Sequence, residues 1–276
     1  MRLIVQGNEI TTTALKALAK MAQASRIEQI SPTAFRLHDA QSAVEIAPYC
    51  ERARLDHAFV PHDRRLSDIR LAVMDMDSTL ITIECIDEIA DMQGLKPQVS
   101  AITAAAMRGE LDYPQSLRQR VALLKGLDAG ALERVYDERL RLAPGTAALL
   151  AKFRQLGIRT LLVSGGFTFF TERLKDRLKL DYTRSNVLAI AHGKLTGQVV
   201  GDIVDADVKR AALLTARDEL ALQKEQIIAL GDGANDLKFM AEAGISVAYH
   251  AKPVVQAQAT HALNYVGLDG VLSLFD

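Results

Sequence analysis

The chain has almost no cysteine, no surplus of charge of either sign and no long apolar run. Each shortage closes off a class of protein. Two cysteines, Cys50 and Cys85, cannot staple 276 residues, so a disulfide framework is excluded and a reduced, cytosolic setting is expected. Lys plus Arg number 33 against 34 for Asp plus Glu, a net charge of −1. That balance offers nothing to neutralise a nucleic-acid backbone or an anionic membrane. No stretch approaches the ~20 apolar residues of a membrane-spanning helix, and the apolar start Leu3-Ile4-Val5 is too short for a secretory signal. The six histidines show no ligand spacing, and there are no internal repeats or low-complexity tracts. What remains is an ordinary globular composition, 49% hydrophobic and 24% charged, in a chain long enough for two cores.

Residues 1–65 read as a small α/β unit. Leu3-Ile4-Val5 is strand-like, and Leu15, Leu18, Ala19 and Ala22 share one helical face. Two short strands, Arg26 to Ile30 and Ala34 to Leu37, flank the turn signal Ser31-Pro32-Thr33. A helix with Pro48 in its first turn and a strand from Leu55 to Val60 complete the order βαββαβ, which predicts a ferredoxin-like or ACT-like module. The polar run Pro61-His62-Asp63-Arg64-Arg65 marks its end.

Residues 66–276 follow another pattern. Near-continuous apolar strands at 69–74, 158–163, 227–230 and 245–248 alternate with helical stretches, which predicts a doubly wound parallel sheet covered on both faces. The first three run into polar motifs, at the strand ends where such sheets bind ligands. Residues 84–141 read as almost wholly helical, an excess that predicts a cap over a core made of 66–83 and 142–276. A hairpin over Val187 to Ile203, turning at His192-Gly193-Lys194, separates the second and third core strands.

The chemistry sits at those ends. Asp75-Met76-Asp77-Ser78-Thr79 puts two carboxylates two residues apart, where they repel unless a cation or proton lies between them. Alone, the run could be a surface turn or a helix cap. Gly231-Asp232-Gly233-Ala234-Asn235-Asp236 adds two more carboxylates, and four at one sheet edge suit a hard cation such as Mg²⁺. Ser164-Gly165-Gly166 offers a hydroxyl and successive backbone N–H groups for an anion. Lys209, taken by itself, is an ordinary helical lysine.

These four elements, in this order and at this spacing, resemble the haloacid dehalogenase superfamily. The stretches 75–90, 116–127 and 231–236 are most similar to its members that act on O-phosphoserine in serine biosynthesis. The resemblance covers roughly residues 70–260 and implies a Mg²⁺-dependent phosphomonoesterase. It casts Asp75 as nucleophile, Asp77 as general acid and base, and Lys209 as the cation orienting both Asp75 and phosphate. It implies Asp75, Asp232 and the backbone carbonyl of Asp77 as metal ligands. Ser164 and Gly165 would bind phosphoryl oxygens and Asn235 would position substrate or water, with Asp236 nearby acting through water or by holding Lys209. Glu84 would take the substrate ammonium and Arg120 its carboxylate, with Met107 and Tyr113 closing the pocket. The sequence leaves open a phosphotransferase using an alcohol such as homoserine in place of water, and, against the complete motif set, an inactive amino-acid-binding regulator. Small-molecule substrate is the only partner implied, with room for a homodimer and for an amino-acid effector at the N-terminal module.

Overall fold

The computed structural model describes all residues, Met1–Asp276. The chain opens with β1 (Arg2–Gln6), α1 (Thr12–Met21), β2 (Arg26–Ser31), β3 (Ala34–His38), α2 (Ile46–Ala53) and β4 (Asp56–Val60). Then come β5 (Leu71–Met74) and four helices, α3 (Cys85–Asp91), α4 (Lys96–Met107), α5 (Tyr113–Leu123) and α6 (Gly130–Arg134). Next are α7 (Thr146–Gln155), β6 (Arg159–Phe167), α8 (Thr168–Leu178), β7 (Tyr182–Ala191), β8 (Lys194–Val200) and α9 (Ala206–Glu219). The last elements are β9 (Ile227–Gly231), α10 (Leu237–Met240), β10 (Ile245–Tyr249), α11 (Pro253–Gln256) and β11 (His261–Leu263). No helix is long and apolar enough to cross a membrane.

The first six elements are the predicted βαββαβ series. Their four strands form an antiparallel sheet in the order β2-β3-β1-β4, the ferredoxin-like arrangement of an ACT-like module. The fully buried β1 lies at its centre, and Leu3 and Val5 pack with Leu15 and Leu18 of α1 and Ile46 and Cys50 of α2. Helix α1 starts where Thr11 stops the strand-like backbone and its hydroxyl accepts the Ala14 N–H at 3.1 Å.

The chain packs as two compact units. One comprises Met1–Ala72, Ala143–Arg159 and Ala221–Asp276. It contains the small sheet together with β9, β10 and β11, which pair in parallel. Within this unit Asp56 of β4, 3% exposed, accepts the backbone N–H groups of Asn264 at 2.6 Å and Tyr265 at 2.9 Å. Arg36 donates to the Phe275 carbonyl at 2.9 Å, and Arg2 pairs with Asp276. The other unit comprises Val73–Leu142 and Thr160–Leu220. It holds helices α3 to α6, as expected of a cap, and the strands β6 to β8.

In the first unit the strand order is β11-β10-β9, all parallel; in the second it is β6-β7-β8, with β6 and β7 parallel and β8 antiparallel. Strands β5, β9 and β10 are buried along their whole length, as a sheet covered on both faces requires. The hairpin of β7 and β8 turns at His192 and Gly193, both at positive φ (52° and 73°), the backbone of a two-residue turn matched to strand twist. The structure adds two features to the sequence reading. Strand β6 continues through Ser164-Gly165-Gly166 to Phe167, with its register against β7 shifting between Val163 and Phe167. A short β11 also extends the far edge; three residues, His-Ala-Leu, carry no periodic signal.

Candidate active site

Asp75 leaves β5 with extended backbone, and the chain then folds tightly on itself. Asp77 is extended and Ser78 takes a left-handed conformation at φ 56°. Two bonds secure the fold-back: Asp77 Oδ1 accepts the Cys85 N–H at 3.0 Å, and Ser78 Oγ donates to Glu84 Oε1 at 2.7 Å. Asp77 and Glu84 are thereby held near one another at the start of α3. Burial pushes the Asp77 carboxyl up to about 7, and the charge of Glu84 adds to the shift. A carboxyl so placed holds its proton near neutral pH, as a general acid requires.

Lys209 comes from the second turn of α9. That helix begins at Asp205, whose carboxylate accepts the N–H groups of Asp207 and Val208 at 2.9 Å each. The Lys209 ammonium, 1% exposed, donates to Asp75 Oδ1 at 2.5 Å. An ammonium buried this completely needs an ionised partner, so the pair fixes Asp75 as a carboxylate.

Ser164-Gly165-Gly166 lies at the end of β6, with the Gly166 N–H donating to Ser164 Oγ at 2.8 Å. A Cβ on Gly166 would meet Asp77 Oδ2 at 2.8 Å and Ser164 Oγ at 3.0 Å, so only glycine lets these groups come so close. From the cap, the Tyr113 hydroxyl donates to the Gly165 carbonyl at 3.2 Å. Tyr113 is placed by the start of α5, where Asp112 and Gln115 exchange backbone bonds at 2.7 and 3.1 Å. Burial raises its phenol to about 12, among the charges of Lys209, Arg120, Asp75 and Asp77, so it stays a donor. Arg120 lies seven residues, about two turns, along the same helix face, with Nε donating to the Ser116 carbonyl at 3.4 Å. Met107 stands 67% exposed at the end of α4.

After β9, Asp236 Oδ2 accepts the N–H groups of Asp232 at 3.2 Å and Gly233 at 3.0 Å, bracing the turn that carries Asp232 and Asn235. Asp232 and Asp236 share the turn after β9, and their carboxylates, like that of Asp75 at the end of β5, are the hard oxygen donors that Mg²⁺ takes.

The model of the haloacid dehalogenase-like hydrolase family matches residues 69–244. The chain belongs to this family. Residues 3–45 of this hydrolase match a second model, a domain of unknown function. A phosphoserine phosphatase of Polaromonas is 57% identical over 217 residues, 77% of this chain and 92% of that protein. The crystal structure of a probable phosphoserine phosphatase from Vibrio cholerae, in unliganded form, superposes with a TM-score of 0.86 at 39% identity, covering 99% of this chain and 85% of that one. A substrate-bound phosphoserine phosphatase superposes with a TM-score of 0.70 at 34% identity, over 75% of this chain and 99% of the other.

Two residues of the hydrolase's site escape sequence reasoning. Ser78 reads as part of the acidic motif, with nothing to show that its hydroxyl orients Glu84. Asn186 lies in no motif at all; it is a buried amide in a strand that is otherwise mostly half-buried or exposed, so no burial pattern marks it.

Proposed function

We propose that the chain hydrolyses O-phosphoserine to serine and phosphate, with Asp75 as nucleophile. The observation that carries this reading is the buried Lys209–Asp75 pair at 2.5 Å, in the same unit as the Ser164–Gly166 end of β6 and the Asp77 carboxyl. A phosphate dianion approaching a carboxylate is repelled, and the Lys209 ammonium offsets that repulsion while aiming Asp75 for in-line attack. Asp75, Asp232 and the Asp77 carbonyl would hold Mg²⁺, with Asp236 bracing the Asp232 turn. Mg²⁺, when bound, supplies positive charge against the phosphoryl oxygens.

In the first step an Asp75 oxygen bonds to phosphorus, the bond to the serine oxygen breaks, and Asp77 gives that oxygen its proton. In the second, Asp77 takes a proton from water as the water oxygen attacks phosphorus, releasing phosphate and restoring Asp75. Ser164 and the Gly165 N–H hold phosphoryl oxygens and Asn235 helps position substrate or water. Glu84 receives the substrate ammonium and Arg120 its carboxylate, for which a planar fork is suited, while Met107 and Tyr113 close the pocket. Residues 1–65 contribute none of these groups; we assign them to effector binding or to assembly of a homodimer. The enzyme would act in the reducing cytosol, where Cys50 and Cys85 stay thiols.

Phosphate release from O-phosphoserine with Mg²⁺ tests the reading, run with and without homoserine. Release of one phosphate per serine formed, unchanged by homoserine, is expected. Absence of release, or capture of the phosphoryl group by homoserine, would overturn it.

A further inference from the structure

Asn186 of β7 is 1% exposed, and both ends of its amide are engaged. Nδ2 donates to the Gly165 carbonyl at 2.8 Å, and Oδ1 accepts the Val204 N–H at 2.8 Å. The partners fix the orientation of the amide, because a carbonyl needs a donor and an N–H needs an acceptor. Gly165 lies in the Ser164–Gly166 stretch at the end of β6, and Val204 immediately precedes Asp205, the residue that starts the helix bearing Lys209. One buried amide thus bridges the two segments that carry the hydroxyl and the ammonium.

We propose that Asn186 is a positioning residue that sets the direction of the Ser164 hydroxyl. The inference rests on reading Ser164 as a phosphate ligand. The peptide joining Gly165 to Gly166 is clamped at both ends. Its carbonyl accepts from Asn186 and Tyr113, and its N–H donates to Ser164 Oγ at 2.8 Å. Because Oγ is occupied as an acceptor on that side, its own hydrogen is left to donate, as a phosphoryl oxygen needs. Release of the carbonyl lets the peptide rotate, and the Gly166 N–H then no longer orients Oγ. The Tyr113 phenol alone, at 3.2 Å from the same carbonyl, holds it less tightly.

Asn186→Asp isolates the effect. The carboxylate keeps an acceptor for Val204 and so preserves the entry to α9, but it faces the Gly165 carbonyl with another acceptor. Misplacement of a reacting group on this scale costs about 10²-fold. The variant should therefore lose about 10²-fold in kcat/KM with O-phosphoserine and with p-nitrophenyl phosphate alike, and should bind inorganic phosphate about tenfold more weakly. Its thermal midpoint should fall by several degrees, since a buried donor is lost, while circular dichroism at the assay temperature shows it folded. The deficit should shrink toward acid pH, where the introduced carboxyl is protonated and can donate to Gly165. In a Ser164→Ala background the same change should cost less than about threefold more, since the group it positions is already gone. Activity within about threefold of the parent would overturn the proposal, as would a loss that multiplies in full with Ser164→Ala or that is unaffected by pH. Should Asn186→Asp fail to fold, Asn186→Ser, too short to reach Gly165, must show the same equal loss on both esters, and retained activity there overturns the proposal. A parent inactive on O-phosphoserine alone would sink the substrate assignment, while the generic ester and phosphate binding would still judge Asn186.

Discussion

At the end of β5, Asp75 is 5% exposed and held at 2.5 Å by a lysine that is itself buried; on the cap, Glu84 and Met107 face solvent. The phosphate end is braced by main-chain bonds: Gly166 N–H to Ser164, Cys85 N–H to Asp77, and the Asp205 cap of the helix that carries Lys209. The proposed amino-acid end rests on side chains of α4, α5 and the residue that precedes α3, and Tyr113 reaches the end of β6 through the Gly165 carbonyl. The contrast implies that the groups that break the ester are preorganised. Those that choose the amino acid gain most of their strength when substrate is enclosed and water leaves.

Four measurements test that contrast. The largest effect is expected at the nucleophile. Asp75→Asn should lower turnover of every phosphate ester by at least about 10⁴-fold while the protein still folds, and substantial residual activity in a clean preparation would remove Asp75 from its role. Next comes the metal. Chelation should lower activity by about 10³-fold or more for O-phosphoserine and a generic ester alike. Mg²⁺ should restore it, and Ca²⁺, with its looser coordination, should not; full activity after exhaustive chelation would refute the metal.

The third expectation belongs to the cap. Arg120→Ala and Glu84→Ala each leave one substrate charge unpaired, a loss near the lower end of the usual range because Glu84 is exposed and Arg120 only half-buried. The cost is about 2–3 kcal/mol, or roughly 30- to 150-fold in kcat/KM for O-phosphoserine. p-Nitrophenyl phosphate should change by less than about threefold. Equal losses on both esters would place these residues in the cap's framework or in the phosphate site, and the contrast would collapse. Met107 should matter least. With its side chain largely in solvent, Met107→Ala should alter KM for O-phosphoserine by only about two- to fivefold, the scale of a few partly buried methylenes, and leave kcat alone. A larger fall in kcat would mean that Met107 packs against the reacting atoms once the cap closes.

Much of this was legible in the sequence because parallel strands buried on both faces announce themselves as apolar runs, and their polar ends then stand out. Asp75, Asp77, Ser164 and Asp232 could be read that way. Lys209 could not, since a buried lysine on a helix has the same local sequence as a solvated one; the superfamily resemblance supplied it. Asn186 escaped because its role depends on two backbone groups, at Gly165 and Val204, that are 21 and 18 residues away and meet only in the folded sheet. The extension of β6 through two glycines escaped for the opposite reason: Gly-Gly reads locally as a turn, and here the chain stays extended across a register irregularity before pairing with β7 again at Phe167.

The buried carboxylate of Asp56, closed over the N–H groups of Asn264 and Tyr265, makes the covalent link at 61–65 redundant as an attachment. Arg65 is exposed, so a trypsin-like protease could cut there, yet the first sixty-five residues would stay in place. They are held by that carboxylate and by the Arg2 and Arg36 contacts to the last two residues. Deletion is a different event from cleavage. It strips two amides of their acceptor, at about 1–3 kcal/mol for each group left unsatisfied, and uncovers β11. The module is therefore joined to residues 264–276 of its own unit by contacts that do not depend on the linking peptide, and the two pieces, expressed separately, should associate.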